Sequence, residues 1–331
     1  MKKVLFATTA LVATAGMAAA EVTLSGSGRF GIVYNSQKAF GADLPGNRQK
    51  TKIEKRMTIN IDGSGSTDGG LEFGGRIRLR SDEGEAASAQ SGANIWMGND
   101  MFRITVGNTD GALLNRVGYY QGSVGLTGLH WANVSFNIGT NTFYLNSFSS
   151  RGTQLGPVNG GDVVRLDFNV GGFGVSLSTD STTNGFNGPA TLGSEDAIAV
   201  SYNFGDWTVA AGYAKNANNS VTAAGERDAF SLSAVGSIGD FGVGLGYTDL
   251  EMAGAKVTLS GSYSFGDTTV TAFVANTSED TVGSAGIGAA GSDTEYGIGF
   301  THSLGGATLA GGVSRNYAKN VMADLGVRFS F

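Results

Sequence analysis

Hydrophobic and polar residues alternate along most of this chain with a period of two. In "GGLEFGGRIRLRSDEG" (69–84), Leu71, Phe73, Ile77 and Leu79 share one parity with Gly75. Arg76, Arg78 and Arg80 share the other, behind Glu72 and Gly74. Successive strand residues point to opposite faces, so this stretch predicts a strand with one apolar side and one side of guanidinium groups. The same alternation recurs in "VTLSGSGRFGIVY" (22–34), "RMTINIDG" (56–63), "ANIWMGND" and "MFRITVGN". It sharpens from "VVRLDFNVGG" to the final "MADLGVRFSF", and the count of such segments comes to sixteen.

The connectors alternate as well. "NVGGFG", "FGDW", "IGDFG", "FGDTT" and "LGGAT" are Gly-Gly or Gly-Asp hairpin signals, whereas 181–195, 215–227 and 278–294 are longer and polar. Short turns at one end and longer loops at the other describe an up-and-down sheet. Tyr202, Phe204, Trp207, Phe241, Tyr263, Phe265, Phe329 and Phe331 fall at the short-turn end, and Tyr34, Tyr213 and Tyr247 near the other. Two aromatic belts flanking an apolar band are the pattern of a transmembrane antiparallel β-barrel. A soluble sandwich would need an apolar inner layer, and the Ser-, Thr-, Asn-, Gly- and Arg-bearing parity is too polar to supply one. The apolar side of 69–84 then meets lipid, and its arginines project into a water-filled lumen.

Composition supports this picture. There are 54 glycines and 3 prolines, which suits strands and tight turns better than helices or disorder. With no cysteine, stability must come from hydrogen bonding and packing. Lys2, Lys3, the apolar stretch Val4–Met17 and Ala18-Ala19-Ala20 predict a secretory signal peptide over 1–20, leaving 21–331 as the barrel. An acidic balance, 22 Lys and Arg against 28 Asp and Glu, argues against nucleic acid as a partner.

Three stretches carry a family likeness: "EVTLSGSGRFGIVYN", "STDGGLEFG" and the end "VMADLGVRFSF". The chain resembles, over its whole length, the sixteen-stranded trimeric general porins of Gram-negative bacteria, most closely those of α-proteobacterial phototrophs and their relatives. The resemblance implies a homotrimer in outer-membrane lipid and lipopolysaccharide, with a third long loop folded into the lumen. It also implies that Phe331 belongs to a C-terminal assembly signal.

Parity places Arg29, Arg56, Arg76, Arg78, Arg80, Arg103 and Arg328 on neighbouring strands of one wall, with Arg165 extending the set. Glu54 and Glu72 are the expected carboxylates among them. Like charges in a constriction concentrate counter-ions and orient polar solutes. The segment 108–161 is the long loop, and the resemblance makes it the constriction. Its only acid is Asp110, beside the bases Arg116 and Arg151. That departs from the acidic loop of general porins and weakens the case for a cross-pore field or a loop-bound divalent cation. The expected pore is therefore less cation-selective than its relatives, with no cofactor. An alternative makes 129–148 a further hairpin and the barrel eighteen-stranded. Parity opposes it, because Leu129 and Trp131 lie on one phase and Val134, Phe136 and Ile138 on the other. Other acids, from Asp82, Glu83 and Glu85 to Asp293, are expected in outer loops as a solvated rim.

Enzyme signals are weak. "GSGRFG" matches a dinucleotide-binding pattern but lies inside an alternating segment with no helix behind it. His130 and His302 are the only histidines, neither with ligand spacing. The expected function is passive diffusion of ions and small hydrophilic solutes. A substrate-specific channel, for sugars or anions, is the alternative. It calls for inward aromatics, for which Phe273, Tyr119 and Tyr120 are the candidates.

Overall fold

The computed structural model describes residues 21–36, 50–82, 89–90, 92–117, 124–129, 162–181, 195–215, 228–251, 254–278, 294–316 and 319–331. The first segments are β1 (Glu21–Asn35), β2 (Thr51–Ser66), β3 (Glu72–Asp82), β4 (Ala89–Gln90), β5 (Asn94–Gly98) and β6 (Phe102–Gly107). A short helix, α1 (Ala112–Arg116), precedes β7 (Asp162–Val170) and β8 (Phe173–Ser181). Then come β9 (Asp196–Phe204), β10 (Trp207–Lys215), β11 (Ala229–Ile238), β12 (Phe241–Leu250) and β13 (Gly254–Phe265). The last are β14 (Thr268–Thr277), β15 (Thr294–Ser303), β16 (Thr308–Arg315) and β17 (Val321–Ser330).

Neighbours in the chain pair antiparallel, and β1 pairs with β17 as well as β2, so the sheet closes on itself. Both β4 and β5 pair with β3, through Leu79↔Gln90 and Arg76↔Asn94. Both therefore lie along the same edge of β3 and count as one wall strand. The barrel is sixteen-stranded, as the sequence predicts. Because β6 pairs directly with β7, from Phe102↔Phe168 to Gly107↔Val163, the wall has no place for an extra hairpin in 129–148. The eighteen-stranded alternative is thereby excluded.

Burial separates the two faces. Val22, Leu24 and Ile53 are 71%, 68% and 70% exposed, whereas Ser176, Ser231, Thr248 and Thr258 are fully buried. The molecule is greasy outside and polar within, an inversion that suits hydrocarbon surroundings. Closure satisfies the ladder of every wall strand without water, so strands that are not continuously apolar can cross a bilayer.

Glycine does specific work at the hairpins. Gly205, Gly239 and Gly266 open two-residue turns at φ of +53°, +59° and +55°, the first position of a type II′ turn. Rings meet beside the short turns: Phe173 lies tilted against Tyr202 at 4.3 Å, and Phe241 stacks on Tyr263 at 4.6 Å between centroids. His302 joins the same end, its Nδ1 2.8 Å from Thr268 Oγ1. "GSGRFG" lies within β1, as its alternation predicts. Its outward glycines make room for the last strand's rings: a Cβ at Gly28 would come within 2.6 Å of Phe329 Cζ, and one at Gly26 would strike Phe331.

Candidate functional site

The lumen face carries all the expected wall arginines. Arg328, Arg29 and Arg56 form one row across β17, β1 and β2. On β3, Arg80, Arg78 and Arg76 stand opposite Thr58, Asn60 and Asp62 of β2. Acids on the same face answer several of them. Glu54 Oε1 accepts from Arg29 Nε at 2.8 Å and Nη2 at 2.6 Å. Asp62 Oδ1 accepts from Arg76 Nε at 2.5 Å, and Asp82 pairs with Arg56.

Two expectations change here. Asp82 is not a rim residue: it ends β3 on the lumen parity and holds Arg56. The arginines also form two groups and not one belt. Arg103 shares its row with Gly98 and Glu72 on one side and Asp167 on the other. Its guanidinium carbon stands 3.8 Å from the ring centre of Trp96, an inward aromatic that the sequence reading passed over. Trp96 fits there because Gly74 has no side chain; a Cβ would lie 2.8 Å from Trp96 Cζ2.

The second group centres on Asp167, which is only 5% exposed. It accepts from Arg165 Nε at 2.9 Å, Asn115 Nδ2 at 2.9 Å and Ser176 Oγ at 2.5 Å. Arg116 donates to Ser176 Oγ at 2.8 Å and Asn169 Oδ1 at 2.7 Å. Burial lowers the Arg116 guanidinium pKa below its ordinary value, against the opposing pull of Asp167. These bonds seat α1 on β8, β9 and β10, whose inward residues are small. Ala112 N donates to Ser178 Oγ at 2.8 Å, and Leu113 and Val117 are fully buried beside Ala199, Ala210, Gly212 and Ala214.

Residues 124–129 lie against a different part of the wall. Asp324 on β17 accepts from Leu126 N at 2.8 Å and from Thr127 N and Oγ1, both at 2.7 Å. Leu126 fills the hollow over Gly31 and Gly326; a Cβ on either would come within 2.6 Å of its Cδ2. Val124 and Leu129 pack on Phe273, with Met322 alongside. Phe273 points inward, as its parity allows, but only 5% of it is exposed, so it serves the packing of 124–129 and offers no track for a sugar. Tyr119, Tyr120 and Arg151 lie outside the described residues, as do His130 and residues 1–20.

Asp110 lies across a cavity from two of the β3 arginines. A polar cavity of about 330 Å³ is lined by Asn60, Arg76, Arg78, Asn94, Asn108, Thr109 and Asp110, with Gly92 at its edge. The Asp110 carbonyl also accepts from Arg165 Nη1 at 2.5 Å. Asp110 thus borders the same cavity as two arginines, with room for several waters.

Closed antiparallel wall, apolar exterior, charged interior and aromatic belts together define a transmembrane pore barrel. The chain belongs to the Gram-negative porin family, whose model matches residues 7–320. It is 30% identical over 320 residues to a porin of Fuscovulum blasticum, covering 94% of this chain and 100% of that one. A porin of Rhodobacter capsulatus is 28% identical over 338 residues, again with 94% and 100% covered. Among solved structures, a variant of Rh. blastica porin superposes with a TM-score of 0.76 at 27% identity, covering 94% of this chain and 100% of that one. A triple mutant of the Rhodopseudomonas blastica protein gives 0.71 at the same identity and coverage. The protein is a general porin channel of the outer membrane.

Proposed function

We propose that ions and small hydrophilic solutes cross the outer membrane through this lumen, filtered where the loop 108–161 faces the arginine wall. The observation that carries the reading is the lumen-side seating of both described parts of that loop, 112–117 on β8–β10 and 124–129 on Asp324. Flow is passive and needs no cofactor. Acids answer Arg29, Arg56, Arg76, Arg116 and Arg165 from the wall itself, while the loop contributes Asp110 alone. With so little negative charge on the loop, the pore is less cation-selective than its relatives and anion-preferring at the constriction. Reversal potentials in a salt gradient across a planar bilayer test this, and strong cation selectivity overturns it.

The chain reaches the membrane by export through the periplasm behind the signal peptide 1–20, and Phe331 marks it for assembly. It works as a homotrimer surrounded by lipid and lipopolysaccharide. The β1–β3 face supports that assembly, because Lys55 points outward beside Phe30, and Gly63 and Gly75 bring no side chain to the same face. A charged side chain there is costly against lipid and suits a protein neighbour. Native-mass measurement in detergent decides it; a monomer at all concentrations removes this part of the reading.

A further inference from the structure

A hollow of about 690 Å³ lies on the outward face of β8–β12, within the hydrocarbon band. Its floor is Ala211 and Ala234, which are diagonal neighbours. Ala211 pairs with Val200 and Leu232, and Ala234 with Val209 and Leu245, so longer side chains flank both. The hollow starts at Phe173 and Tyr202, beside a short turn, and ends at Tyr247, near the long-loop end. Crossing five strands at a spacing of ~4.8 Å makes it roughly 19 Å long. Wall strands are tilted, so this path descends obliquely through about half of a ~30 Å hydrocarbon core. That is the depth of one leaflet, which one acyl chain spans.

Charge marks one end of the hollow. Beyond Tyr247, on the same outward parity, stand Asp228, Asp249 and Glu251, with Asp196 further along the rim. Among the described residues of this rim, Lys215 is the one base on that parity. Tyr247 Oη donates to Asp249 Oδ2 at 3.2 Å, and the Tyr213 hydroxyl bonds to Asp228, so carboxylates border the mouth. Four acids against one base favour a cationic head above the chain. A phosphate-rich head would meet like charge, and among the described residues no three acids converge on a metal that could bridge the two. A second barrel is a poor occupant, because a footprint of about 19 by 7 Å is small against the ~800 Å² per partner of a stable interface. The hollow also lies half-way round the ring from β1–β3. We propose that it holds one acyl chain of a lipid whose head group carries a primary amine, bound by Asp249 and Glu251. The proposal rests on the reading that this exterior meets hydrocarbon and that subunits meet at β1–β3.

Native mass spectrometry of the detergent-extracted protein tests this, with phosphatidylethanolamine or phosphatidylglycerol of matched chains added in steps. The wild type should retain one phosphatidylethanolamine per barrel. It should half-saturate at a concentration about tenfold below that for phosphatidylglycerol, the worth of one charge-assisted contact. Asp249→Asn with Glu251→Gln should bring the two lipids together. Ala211→Leu with Ala234→Leu fills the hollow and should raise both half-saturating concentrations about tenfold. Val313→Leu, on the outward face of β16, should change neither. Should the filled double variant fail to fold, Ala234→Leu alone decides the matter. A wild type that retains the two lipids equally, or a filled variant that retains them as well as wild type does, overturns the site. So does a wild type that holds only lipopolysaccharide and releases it to EDTA. The same spectra count subunits: a monomer that still keeps its lipid overturns the trimer reading and supports the groove.

Discussion

The carboxylate of Asp324 and residue Thr127 are joined twice, through the amide and the hydroxyl of the threonine, both at 2.7 Å. With the Leu126 amide on its other oxygen, one side chain of the last strand collects three donors from a segment nearly two hundred residues earlier. Asp324→Ala should leave two amides unsatisfied at about 1–3 kcal/mol each. The wall should persist, because the β16–β17 and β17–β1 ladders are backbone bonds. The segment 124–129 should come loose, so single-channel recordings that are steady in wild type should flicker in the variant. Asp324→Asn, which keeps one acceptor, should fall between them. Identical recordings from all three would show that Asp324 does not hold the loop.

Closure of the barrel depends on a similar fit at its other end. Gly26 and Phe331 exchange backbone bonds of 2.7 and 3.0 Å, and the Phe331 ring lies where a Gly26 side chain would be. Gly26→Leu should therefore cost about 1–3 kcal/mol by overpacking and lower the yield of folded barrel. Adding Phe331→Ala to that variant should recover part of the loss on refolding from urea into detergent, where the assembly signal plays no part, because it empties the contested space. Electrophoretic mobility before and after heating measures the folded fraction. A double variant no better folded than Gly26→Leu alone would rule out the steric account.

Parity made the wall legible, since a strand's period of two leaves little freedom once one face is assigned. Phe30 and Ile32 fixed where Arg29 points, and Val327 and Phe329 did the same for Arg328. Glu54 was legible by the same argument, whereas Asp62, Asp167 and Asp324 were passed over although they share parity with Arg56, Arg165 and Arg328. Asp82 was misplaced because it ends its strand next to loop acids, where parity and loop composition point different ways. Splitting of the arginine belt was not legible. It depends on pairing register, such as Arg103↔Asp167, which alternation within a strand does not specify. Contacts such as Asp324 with Thr127 or Phe273 with Val124 leave no local pattern, because they join residues far apart in the chain.

Opposed substitutions of one ion pair should move selectivity in opposite directions. Glu54 is 7% exposed and bound to Arg29 in the lumen. Glu54→Gln leaves the guanidinium uncompensated, so reversal potentials should shift toward anions, at a stability cost of about 3 kcal/mol. Arg29→Gln leaves the carboxylate instead and should shift them toward cations. A shift of the same sign in both variants would mean that they act by deforming the wall and not by changing the field in the pore.

Phe273 and Asp324 hold the same short segment by different physics, one by packing on Val124 and Leu129 and the other by hydrogen bonds to Leu126 and Thr127. Phe273→Ala should cost about 3–5 kcal/mol, as for other buried aromatic truncations, if the hollow over Gly297 stays open. Its recordings should flicker like those of Asp324→Ala. Combining the two should add little further flicker, because a segment already released has nothing left to lose at the second contact. Fully additive flicker would mean instead that the two residues restrain independent motions, and that 124–129 is not seated as one unit.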